Sequence, residues 1–343
     1  MRGNGITYDT GFVRGSTKAT TPWNLDQVAQ ELRIIRDDLH CTAVRITGGD
    51  PERIEAAAGL AVALGLEVWF SPYPLELPAD EMLTLFADCA GRAERLRARG
   101  GEVVFVTGAE LILMNPGFLP GADLPERLAS IFADRTAARG VLAEARTGVN
   151  RFLADAVALV RERFGGKITY ASIYHLENVD WTLFDFVSAD LYRSAAIDDR
   201  FAKGVRGLVR QGKPVAITEF GSATFRGAPD RGAQGLEIVE NDPDTGAPLR
   251  LDGEYSRDEA GQATYVRELL EIFDAEGVDT AFVFAFALRD FPHRPDGDPR
   301  LDLDLASYGI VKVYEDRHGE TYPGLPWEPK AAFAAVADFY RSA

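Results

Sequence analysis

The stretch KPVAITEFGSATF, Lys213 to Phe225, poses the question of the fold. Pro214 to Thr218 suit a buried strand, and the chain then places a glutamate, Glu219, where that strand should end. A carboxylate there costs stability unless it is paired, protonated or solvated. An architecture that collects the ends of buried strands at one open rim would give it a reason to be there.

Working outward, seven further apolar runs read as strands: Gly5–Thr10, Thr42–Thr47, Leu66–Pro72, Glu102–Gly108, Ile168–Tyr174, Phe184–Tyr192 and Thr280–Leu288. Several are apolar on both faces, as the strands of a barrel wall are. Amphipathic helical runs fall between most of them. Asp50 followed by Pro51 is an N-cap with proline in first helical position, and its helix should stop at Gly65. SRDE, Ser256 to Glu259, reads as a capping box opening a helix to about Glu276. Leu236–Gly253 breaks the rhythm: two alternating runs flank a Pro/Asp/Gly turn, which predicts a surface hairpin. With no linker or composition shift, the series predicts one α/β domain over residues 1–343. The expected fold is a (β/α)8 TIM barrel with a β-hairpin insertion after strand seven and a long loop, Leu111–Leu124, after strand four.

The chain has 37 Lys+Arg against 53 Asp+Glu, a formal charge of −16. Nucleic acid and anionic membrane surfaces would be repelled, which leaves a small-molecule substrate as the expected partner. No apolar run approaches the roughly 20 residues of a membrane helix, and the N-terminus lacks the apolar core of a secretory signal, so a cytoplasmic protein is expected. Cys41 and Cys89 read as small buried residues. No phosphate loop and no metal-ligand spacing is found, so neither metal nor organic cofactor is expected. Asp302 and Asp304 read as part of a solvated acidic loop.

In such a barrel the polar residues just past each strand share one rim: Tyr8, Asp9, Arg45, Ser71, Tyr73, Glu110, Tyr174, His175, Glu177, Asp190, Tyr192, Glu219, Arg289 and Asp290. Glu110 and Glu219 stand out, because each follows a strongly apolar strand and they lie on strands four and seven, able to face each other across the mouth. Two opposed carboxyls suit chemistry at an acetal carbon: one protonated to help the leaving oxygen depart, one ionised to meet an oxocarbenium-like centre. Mutual repulsion and unequal burial push their pKa values apart.

Here the residues acquire a resemblance. ITEFG, Ile217 to Gly221, resembles the strand-seven nucleophile motif of clan A glycoside hydrolases, the retaining (β/α)8 enzymes. Arg45 in VRIT is similar to that clan's strand-two arginine, TGAE (Thr107–Glu110) to its strand-four acid/base, and ADLY (Ala189–Tyr192) to its strand-six end. The C-terminal SYGIVKVY and WEPKAAFAAVADFY look like its closing segment. The resemblance implies Glu219 as nucleophile held by Arg45 and oriented by Tyr192, with Glu110 as acid/base; from the rim set, Tyr73, His175, Asp190 and Asp290 are then expected to line the substrate pocket. Two positions depart from it. Ala109 stands where the clan carries an asparagine before the acid/base, and FVFAFALRDF (Phe282–Phe291) has no strand-eight tryptophan. Both losses favour, as an alternative, the same pair doing acid/base chemistry on a non-sugar metabolite, and fold alone also leaves open a non-catalytic barrel that binds carbohydrate or protein.

Overall fold

The computed structural model describes residues 1–13, 23–132, 135–242 and 246–342. Eight strands form the wall: β1 (Gly3–Asp9), β2 (Ala43–Gly48), β3 (Glu67–Pro72), β4 (Val103–Ala109), β5 (Lys167–Ala171), β6 (Val187–Asp190), β7 (Val215–Phe220) and β8 (Thr280–Val283). They pair in parallel in the ring order β5-β4-β3-β2-β1-β8-β7-β6. The seam between β5 and β6 is bridged: Asp190 N–H donates to the Ser172 carbonyl and Asp185 N–H to that of Ile168, each at 2.9 Å. The Thr169 and Ser188 hydroxyls meet there at 2.6 Å.

Residues two apart along each strand share a face. Trp69, Phe186 and Phe282 point inward and plug the barrel, with ring centroids 5.0 and 4.8 Å from Trp69. Two residues further on, Ser71 and Ser188 form part of a fully buried polar layer with Arg45, Thr169 and Thr218. The carboxylates come after that layer, at the open end. The outward residues, such as Ile46, Phe70, Phe105 and Ile217, pack with the helices in the main core.

Local signals explain most boundaries. Asp50 accepts from the N–H groups of Glu52 and Arg53, and its helix runs Pro51–Ala63. The capping box does not form. Asp258 rather than Ser256 caps the helix Glu259–Glu276 through Gly261 N–H, at 2.9 Å. The Glu259 side chain turns instead to Lys312 and to Ala331 N–H. Strand eight stops at Val283, short of the expected Leu288, because its backbone partners change. Phe284 N–H still donates to Phe220, but Ala285 N–H goes to Tyr308 and Phe286 N–H to Thr7, and the Phe284–Ala285 peptide is cis. The expected hairpin pairs Val239–Asn241 with Pro248–Leu251, antiparallel, while residues 243–245 of its turn lie outside the described residues. The long loop after β4 holds a short helix, Leu111–Met114, before the helix Leu124–Phe132.

The acidic loop differs from expectation. Asp304 is fully buried, ion-paired to Lys330 at 2.9 Å and to Arg257 at 2.7 Å, and Asp302 accepts from Arg257 and meets His293. Those partners hold the Asp302 carboxyl down at about 2 against the pull of burial. A run of charges reads as solvated until distant cations close over it. Both cysteines are buried and free. Among the described residues no helix is long and apolar enough to cross a membrane.

Candidate active site

A β-bulge explains how Glu219 enters the barrel. On β7, Ala216 faces in and Ile217 out, so strict alternation would turn Glu219 outward. The ladder slips there on both sides: Ala189 pairs with Ile217 but Asp190 with Glu219, and Ala281 with Ile217 but Val283 with Phe220. One extra residue bends the strand and re-aims the next side chain. β4 repeats the device. Val104 and Val106 face in, and the next inward residue is Ala109, after Gly108 at φ +80°. Glu110 then sits in the left-handed region (φ 49°, ψ 35°), which costs an L-residue on the order of 1 kcal/mol. Its N–H donates to Ala171 at 2.9 Å.

Glu110, Asp190 and Glu219 each offer a carboxylate oxygen, and these three oxygens lie within 4.8 Å of one another. Glu219 is the paired member. Arg45 Nη1 donates to its Oε1 at 2.9 Å, and the Tyr192 hydroxyl donates to its Oε2 at 3.2 Å. Arg45 is fully buried and anchored by the Thr218 carbonyl (3.0 Å) and Ser71 Oγ (3.1 Å). Burial, then the charges of Asp190, Glu219 and Glu177, hold the half-buried Glu110 carboxyl well above the usual carboxylate range. Asp190 is raised in the same direction by burial and by Glu219. The Tyr73 hydroxyl is pushed up by burial and then by the charge of Glu110, and its ring meets Phe12 edge-on at 5.2 Å.

An aromatic wall flanks Glu219. Tyr192 packs edge-on to Tyr308 (5.7 Å), and Tyr308 packs on Phe284 (6.1 Å), the half-buried residue that follows strand eight. Tyr308 is held by Gly232 O and Gly235 N–H, both at 2.8 Å. No local pattern in the sequence marks Tyr308 as part of the site. A Cβ on Gly221 would lie 2.4 Å from the Phe284 carbonyl oxygen, so only glycine fits between Glu219's strand and this wall. Gly221→Ala should cost about 1–3 kcal/mol by overpacking. Urea melts check it, and an unchanged midpoint would refute the contact.

Other rim residues go elsewhere. The His175 side chain is exposed, its ring edge-on to Tyr174, whose hydroxyl accepts from Gln211 on the outer flank. Asp290 is exposed beside Asp9, whose carboxyl it helps push up to about 7 after the larger effect of burial. Tyr8 and Arg289 turn out to the buried Glu31, which also accepts from Trp327 Nε1 at 2.8 Å. Glu177 is fully buried and accepts from Tyr170, Ser172, Ile173 N–H and Ile112 N–H, a structural knot behind Glu110.

The three clustered oxygens could also surround a cation in size. The Arg45 guanidinium, however, already sets a fixed positive charge against one of them. A surface cleft of about 720 Å³ between the helices Asp198–Val209 and Glu259–Glu276 contains none of these residues.

No protein-family model matches the chain, and no curated protein matches its sequence. Solved structures do match its fold. A GH113 β-1,4-mannanase aligns over 99% of both chains with a TM-score of 0.62 and 16% identity. The GH113 β-mannanase of Alicyclobacillus acidocaldarius, in complex with ManMIm, aligns over 99% of this chain and 97% of its own, with a TM-score of 0.56 and 16% identity. A β-glucosidase from Pyrococcus furiosus aligns over 98% and 94%, with a TM-score of 0.52 and 10% identity. The chain thus has the (β/α)8 fold of these glycoside hydrolases over nearly its whole length.

Proposed function

We propose that this protein is a retaining glycoside hydrolase with Glu219 as nucleophile and Glu110 as acid/base. The observation that carries the reading is the approach of the Glu110 and Glu219 carboxylate oxygens to within 4.8 Å at the open end of the barrel. Retaining pairs stand about 5–5.5 Å apart, whereas inverting pairs stand about 6.5–9.5 Å apart to admit a water. Their surroundings also differ in the required sense. Glu110 is raised and holds a proton to give, while Glu219 faces Arg45 and attacks as the carboxylate.

In the first step Glu110 protonates the glycosidic oxygen as its bond to the acetal carbon breaks, and a Glu219 oxygen bonds to that carbon from the opposite face. In the second, Glu110, now ionised, takes a proton from water as the water oxygen displaces Glu219. Two inversions return the original configuration. Arg45 and the Tyr192 hydroxyl balance the charge that leaves and returns to Glu219. The substrate is a small-molecule glycoside, and no step requires a cofactor.

The test is a panel of aryl glycosides with the product anomer read by proton NMR, for wild type and Glu110→Ala. The expected result is retention, with a loss of roughly 10²–10⁴-fold in the variant for phenyl leaving groups. The loss should be far smaller for dinitrophenyl ones, which leave without a proton. The alkaline limb of the wild-type pH profile, set by a raised Glu110, should vanish in the variant. Inverted product, or a loss independent of the leaving group, would sink the assignment. Ala109, fully buried and offering no polar group beside Glu110, favours one second reading: the same pair acting on a non-sugar metabolite. Silence across the whole panel would favour it.

A further inference from the structure

We propose that the substrate carries a protonated amino group on the carbon next to its acetal carbon, and that Asp190 binds it. The inference rests on the glycosidase reading and deepens it.

Asp190 is the unexplained member of the cluster. It is only 8% exposed, yet neither of its carboxylate oxygens has a hydrogen-bond partner among the described residues. The Thr218 hydroxyl draws its carboxyl down but does not meet hydrogen-bond geometry. Buried carboxyl oxygens are nearly always satisfied, so a missing donor points to a bound group. Arg45 does not supply it: Nη1 is spent on Glu219 and Thr218, and the buried Nη2 has no partner either.

Position identifies the donor. One Asp190 oxygen lies within 4.8 Å of oxygens on both Glu110 and Glu219. Those two glutamates must reach the leaving oxygen and the acetal carbon, so Asp190 reaches the neighbouring substituent. Charge identifies its chemistry. Three carboxyls meet here, with Glu177 close enough to raise Glu110 further, and Arg45 is the cation set among them. A hydroxyl would offer one donor and no charge. An ammonium offers three donors and a charge that offsets the repulsion. Ala109 leaves the adjoining wall without an amide to bind a hydroxyl there. A divalent cation is disfavoured by the guanidinium 2.9 Å from Glu219.

The experiment compares kcat/KM for matched 4-nitrophenyl glycosides bearing 2-amino, 2-hydroxy or 2-acetamido groups, in gluco and manno configurations. Wild type and Asp190→Asn are both measured. A ratio within one protein is insensitive to the fraction folded. The expected result is at least a tenfold preference for the amino compound in wild type, falling to near unity in Asp190→Asn. Preference for the hydroxy or acetamido compound, or a preference that survives the substitution, overturns the proposal while hydrolysis stands.

If nothing is turned over, the hydrolase reading fails, and binding decides the amine site. Glucosamine should raise the melting temperature of wild type more than glucose does, and should lose that advantage in Asp190→Asn. Equal shifts overturn the proposal. Calorimetric binding of magnesium, manganese or calcium that disappears in Asp190→Asn also overturns it.

Discussion

Glu219→Gln should lower kcat on aryl glycosides on the order of 10⁴-fold, with little change in the thermal midpoint. The size follows from the proposed mechanism, in which this substitution removes the atom that forms the covalent bond rather than one that merely assists. Glutamine keeps an acceptor for Arg45, whose fully buried guanidinium also holds Thr218 O and Ser71 Oγ, so the barrel top stays paired. Alanine is the harsher change, because removing one partner of a buried pair costs about 3–5 kcal/mol. It opens the space a small anion needs. Added azide should restore turnover of a dinitrophenyl glycoside in Glu219→Ala and yield a glycosyl azide of inverted configuration, since only one displacement then occurs. Near wild-type kcat in the glutamine variant, or rescued product with retained configuration, would remove Glu219 from the nucleophile role.

The barrel is legible in the sequence because its wall is buried on both faces, which leaves runs such as EVVFVTG and PVAITEF nearly continuous in apolar residues. That the strands share one open end is a matter of topology, so the rim residues can be named in advance. Which way each one faces cannot. Tyr8 and Glu219 both come near the end of an apolar run, yet Tyr8 turns out to Glu31 while the slip at Thr218 turns Glu219 in. A bulge is one residue of ladder offset and leaves no mark in the composition. Long-range partners are equally silent. Asp304 reads as solvated because Lys330 and Arg257 arrive from remote segments, and Tyr308 joins the site from the loop after strand eight. His175 reads as rim because it follows strand five, but that strand ends at Ala171 and the short helix Tyr174–Glu177 leads the chain onto the outer flank.

The same short helix carries a second large expected effect on stability. Glu177→Ala should lower unfolding free energy by roughly 3 kcal/mol or more, because it strands four donors, three of them buried, and a buried donor costs about 1–3 kcal/mol when unsatisfied. They are the Tyr170 and Ser172 hydroxyls and the N–H groups of Ile173 (3.0 Å) and Ile112 (3.3 Å). The damage should reach catalysis through position. Tyr170 OH also accepts from Leu111 N–H at 2.7 Å, so Glu177 and Tyr170 together hold the first turn after Glu110 and with it that residue's left-handed backbone. A fall in kcat with KM little changed is therefore expected in the folded variant.

The pH dependence separates this role from simple packing. Burial raises Glu177 to about 7, above the unfolded value near 4.3. Its contribution is fully present below about pH 4.3 and is lost as pH rises to about 7, since the folded state alone keeps the proton across that window. Glu177→Gln cannot titrate. Its stability should fall less steeply than wild type between those limits, by up to about 1.4 kcal/mol per pH unit, the weight of one proton. Urea melts at intervals from pH 4.5 to 7.5 measure both slopes, and identical slopes would show that Glu177 is ionised throughout and that its four donors outweigh its burial.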